Sequence, residues 1–73
     1  MYNLNLIDEN VIDSAKRSMR RIYPEFPSFP IGVSKDKKSV IFECLFPDGT
    51  FYFRVNESFV SSAYRTVDDA DRV

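Results

Sequence analysis

Apolar residues recur over residues 8–23 at the spacing of one helical face: Val11, Ile12, Ala15, Met19, Ile22 and Tyr23. Asp8 stands where an N-cap belongs, Glu9 and Asp13 follow in the opening turns, and Asp13 and Arg17 form an i, i+4 pair in the favourable order. Lys16, Arg17, Arg20 and Arg21 fill the polar face toward the far end, so charge opposes the helix dipole at both termini. Pro24 stops the helix, because the residue before a proline disfavours the α region. From residue 39 the period changes from helical to alternating. Val40, Phe42, Cys44 and Phe46 share one face of a first run, and Phe51, Phe53 and Val55 share one face of a second. Strands are therefore predicted over residues 39–46 and 51–55, hinged at Pro47-Asp48-Gly49 around the strong Asp-Gly hairpin signal. The two apolar faces coincide if Phe46 opposes Phe51, Cys44 opposes Phe53 and Phe42 opposes Val55. The same register sets Glu43 against Arg54 and Leu45 against Tyr52 on the other face.

The remaining pattern is shorter. Residues 31–34 predict a third strand, followed by a polar turn at Lys35-Asp36-Lys37-Lys38. Asn56 reads as the N-cap of a short helix over residues 57–65, with Phe59, Val60, Ala63 and Tyr64 as its stripe. The acid-rich residues 67–73 have nothing evident to bury and are expected to fray. Pro24, Pro27 and Pro30 recur at intervals of three, the polyproline repeat, with Phe26 and Phe29 between them expected to seal one end of the core. The fold class that follows is α+β: an N-terminal amphipathic helix packed on a three-stranded antiparallel meander, with a short C-terminal helix.

Composition narrows the function. A chain of 73 residues is one domain, and its core must be dense in large side chains, which seven Phe and four Tyr provide. One cysteine allows no internal disulfide, which points to a reducing compartment. The first residues carry acids where a signal peptide carries bases, and no apolar run approaches the ~20 residues that span a bilayer. A soluble, cytoplasmic, monomeric protein is expected. The chain has no histidine, which removes the commonest general base, the usual triads and the usual zinc sets. Cys44 falls at a core position, where a thiol is inert, and two glycines cannot build a phosphate loop. The expectation is a non-enzymatic protein without cofactor or metal.

Charge is segregated. The formal net charge is −1, yet residues 14–56 carry +4 while the first thirteen carry −3 and the last seventeen −2. Lys16, Arg17, Arg20 and Arg21 are thus either a solvated helix face or a positive patch that docks on an acidic protein surface or a phosphate backbone, with Lys35, Lys37 and Lys38 extending it. The second candidate is the hairpin face opposite the core, where Ile41, Leu45 and Tyr52 stand beside Arg54. Three apolar residues with an arginine form either ordinary surface or a small partner-binding patch. These eight residues are the candidate site; a protein partner is expected, nucleic acid is the alternative, and no membrane is implied.

The order helix, three strands, helix resembles that of double-stranded RNA-binding domains, although Asn56-Glu57-Ser58 stands where that family begins its last helix with lysines. The stretch from Ser39 to Tyr64, with Gly49, the aromatics after it and Val55, is loosely similar to the KTSC domain. More broadly, a short α+β chain with split charge resembles small phage-encoded regulators of host machines. Those are RNA-polymerase-binding inhibitors and antiterminators first, anti-CRISPR proteins second. That resemblance implies a transcription regulator that binds RNA polymerase and inhibits or redirects it.

Overall fold

Asp8 does cap the first helix. In the computed structural model, which describes residues 1–72, its carboxylate accepts from the Asn10 N–H at 2.8 Å and α1 runs Glu9–Ile22. The Asp13–Arg17 ion pair does not form; Arg17 Nη2 instead donates to Ser14 Oγ at 3.1 Å. Ala15 and Met19 are completely buried, and Ile12 and Tyr23 flank them, whereas Ile22 is left half exposed.

The sheet is a meander, β1 (Ser28–Val33), β2 (Val40–Phe46) and β3 (Gly49–Val55), in that spatial order and antiparallel throughout. Alternation assigns the faces correctly: Val40, Phe42, Cys44, Phe53 and Val55 join Ala15 and Met19 in one buried cluster, with Phe46 and Phe51 packed against it. The register differs by two residues from the one expected. Phe46 opposes Gly49, Cys44 opposes Phe51, Phe42 opposes Phe53 and Val40 opposes Val55. The turn is therefore centred on Pro47-Asp48, not Asp48-Gly49. Proline has no N–H for a ladder, and its fixed φ suits the second position of a tight turn, while Gly49 follows at φ 147°. The expected Glu43–Arg54 and Leu45–Tyr52 pairs are replaced by Glu43 with Tyr52, Ile41 with Arg54 and Leu45 with Thr50.

β1 begins three residues before the expected strand and carries a bulge between Pro30 and Gly32. Phe29 faces Glu43 on the side away from α1 and is half exposed, so it does not seal the core; Phe26 does, packing at a tilt against Phe46 with ring centres 4.7 Å apart. Both sheet edges are occupied. Tyr2 exchanges two backbone hydrogen bonds with Val33, each 2.8 Å, and Pro30 and the bulge blunt the rest of the β1 edge.

Residues 57–65 do not form a helix. They run back along β3 as a strap: Tyr64 and Tyr52 exchange hydrogen bonds of 2.7 and 2.9 Å, and the Ser61 N–H donates to the Arg54 carbonyl at 3.0 Å. Asn56 closes an Asx turn by accepting from the Ser58 N–H at 2.9 Å instead of capping a helix. The C-terminal helix, α2 (Val67–Ala70), lies inside the segment expected to fray. Ala70 and Asp71 are both buried; the Asp71 carboxylate pairs with the Met1 ammonium at 2.7 Å and accepts from the Lys35 N–H at 2.7 Å. Met1 packs over Gly32, where a Cβ would collide with its side chain. The two termini are thus fastened together beside the β1–β2 turn. Val73, the last residue of that expected tail, lies outside the described residues.

Cys44 is fully buried in the cluster, and burial pushes its thiol pKa up. The native protein is expected to resist iodoacetamide at mildly alkaline pH and to be alkylated only on denaturation, as mass spectrometry after timed quenching would record. Alkylation of the native protein at the rate of a free thiol would mean that this face of the sheet opens.

Candidate functional site

Lys16, Arg17, Arg20 and Arg21 all lie on the exposed flank of α1. None makes an ion pair among the described residues. The amphipathic pattern dictates this placement, since Ala15 and Met19 must face the sheet and the bases fall on the turns between them. Lys35, Lys37 and Lys38 do not extend the patch. They sit at the start of β2, whereas Tyr23 at the end of α1 packs on Phe46 at the other end of that strand, about 20 Å away along seven residues. Lys37, at φ 61°, stacks over Tyr2, and Asp36 holds the turn by accepting from Ser34 Oγ at 2.5 Å and the Lys38 N–H at 3.0 Å. Those two hydrogen bonds hold its carboxyl below the ordinary range.

The second candidate patch is largely dismantled by the fold. Ile41 is completely buried, because Met1 over Gly32 and the C-terminal segment cover that end of the outer face. Arg54 is committed to its own chain: Nη1 donates to the Arg72 carbonyl at 3.0 Å, and the guanidinium lies 5.9 Å from the Phe59 ring. Leu45 stays exposed and Tyr52 half-exposed, with Phe29 as an unforeseen neighbour across Glu43. These residues face away from α1. One flat partner surface cannot touch them and the helix bases together.

What the sequence did not reveal is a groove beside the bases. Lys16, Arg20 and Tyr23 line it from α1, and Pro24, Phe26, Pro27 and Ser28 from the connector and the start of β1; it measures about 200 Å³. The interval-of-three prolines were its only sequence signal. Tyr23 is anchored edge-on to Phe46 at 5.3 Å and tilted on Phe53 at 5.1 Å, so the wall is held by the core.

No protein-family model, curated protein or solved structure matches this chain. Among the described residues no three His, Cys, Asp or Glu gather as metal ligands would, and no helix is long and apolar enough to cross a membrane. What the arrangement presents is fixed positive charge beside a proline- and aromatic-walled depression.

Proposed function

We propose that this chain is a non-catalytic cytoplasmic binding protein that occupies a surface of a larger bacterial machine, RNA polymerase in the first instance, and so inhibits or redirects it. The observation that carries the reading is the set of four exposed bases on α1 with no acidic partner among the described residues. Four like charges on one helix flank repel each other by a few tenths of a kcal/mol per pair. Such a flank becomes favourable when an acidic surface meets it. The choice of polymerase rests on the resemblance to phage regulators; an anti-CRISPR-type inhibitor would use the same surface.

Arg17 and Arg21 lie on this flank but do not line the groove, so they test the charge alone. Replacing both with alanine is expected to weaken capture of the partner about tenfold at low salt and to flatten its salt dependence, without changing the melting temperature. Unchanged affinity would reduce the flank to a solvated face. Nucleic acid is the second reading, favoured by the same unpaired bases. It requires a steep loss of affinity for RNA or DNA as salt rises, which titration at two ionic strengths would reveal.

A further inference from the structure

The groove beside Lys16 and Arg20 combines three features found together nowhere else on the described surface. Its charge is of one sign and unanswered. No acidic side chain lines it, and Lys16 and Arg20 form no ion pair among the described residues, although the exposed Asp13 and Glu25 flank them in sequence. Its walls are rigid: Pro24 and Pro27 have fixed φ, and Phe26 packs at a tilt against Phe46, ring centres 4.7 Å apart. Its size matches one large side chain: at about 200 Å³ it falls below the ~300–1,000 Å³ of sites that enclose a whole small molecule. The other groove, lined by Leu4, Asn5, Ile7, Glu9 and Ile12, carries a single carboxylate and nothing that specifies an occupant.

We propose that this groove receives one aromatic side chain of an acidic peptide segment on the partner protein, with Lys16 and Arg20 pairing to carboxylates on either side of it. The inference rests on the reading of the chain as a binding protein and names what it would bind. Rigid walls favour such an anchor because little ordering remains to be done when the ring enters. The flanking carboxylates then place the segment by charge.

The probe is a peptide with blocked ends, Asp-Glu-Phe-Glu-Asp, titrated into the isotopically labelled chain and followed by amide NMR. Saturable shifts are expected at Lys16, Arg20, Tyr23, Phe26 and Ser28. They should weaken about tenfold when alanine replaces the phenylalanine of the peptide, and vanish when lysines replace its acids. Pro27→Asp places a carboxylate at an exposed lining position and should weaken the peptide about tenfold by competing for the two bases. Lys16→Glu/Arg20→Glu, at two exposed helix positions, should do the same even if the proline variant perturbs the connector. Equal binding of the alanine peptide, shifts that never saturate, or shifts spread over Lys35, Lys37 and Lys38 would overturn the proposal. Saturable binding of oligothymidylate at these residues, tighter than the peptide, would overturn it in favour of nucleic acid. The two levels separate cleanly. If Arg17→Ala/Arg21→Ala weakens capture of the natural partner while Pro27→Asp does not, the groove falls and the broader reading survives. If the peptide seats in the groove while the arginine variant leaves partner capture unchanged, the groove stands and the basic-flank reading is lost.

Discussion

Phe53→Ala is expected to destabilise the protein by about 4 kcal/mol, the usual range for a fully buried phenylalanine being about 3–5 kcal/mol. A domain of this size has roughly 4–11 kcal/mol to lose, at 0.05–0.15 kcal/mol per residue, so the variant should forfeit between about a third and all of its stability. The cost is placed no lower than the middle of its range because Phe53 is buried completely and shares its faces with two other rings. Tyr23 lies 5.1 Å away and Phe46 6.1 Å, and each such pair adds about 0.5–1.5 kcal/mol beyond area alone. The contrast is Phe29→Ala. Phe29 is half exposed on the outer face, and its removal should cost no more than about 0.5 kcal/mol. Urea unfolding of both variants, with unchanged slopes, would measure the difference directly. Equal losses would mean that Phe29 contributes to the core as much as Phe53 does, and that the assignment of faces is wrong.

That assignment was legible because a strand's side-chain period is two. The hairpin pairs differ by two residues from the register read off the alternation, and an even slip leaves every residue on its own face. The slip itself came from the turn. Asp-Gly signals a hairpin centre, but Pro47 in front of it would have occupied a ladder position, and the chain turns one residue earlier to place proline where no N–H is needed. The strap was illegible for a different reason. Phe59, Val60, Ala63 and Tyr64 have helical spacing, yet a helix of nine residues is marginal by itself, whereas β3 offers a row of unpaired backbone groups along its edge. The sheet edge won. Of the candidate site, the four bases on α1 were readable because amphipathicity alone fixes their direction. Burial of Ile41 was not, since it depends on the two chain ends meeting over one strand, and no local pattern encodes a contact across seventy residues. The groove was hidden similarly, in the angle at which the proline connector leaves the helix.

Asp71→Ala should produce the second large effect, about 2–4 kcal/mol, although the residue is only two places from the end of the sequence. Its side chain is 3% exposed and holds two donors, the Met1 ammonium and the Lys35 N–H, each at 2.7 Å. Alanine leaves the Lys35 N–H without its acceptor and unties the N-terminus from the C-terminal segment. Met1 then loses its seat over Gly32, and the buried Ile41 beneath that end of the outer face should become accessible. The ammonium, which is partly exposed, can recover water, which keeps the loss below that of breaking a fully buried pair. Asp71→Asn can still accept from Lys35 while losing the charge, so it should cost about half as much. Urea unfolding would report the stabilities, and binding of a hydrophobic dye to the native-state baseline would report the uncovered patch. A loss under about 0.5 kcal/mol, with no added dye binding, would place this aspartate among ordinary surface residues and return the C-terminal segment to the frayed tail that its composition suggests.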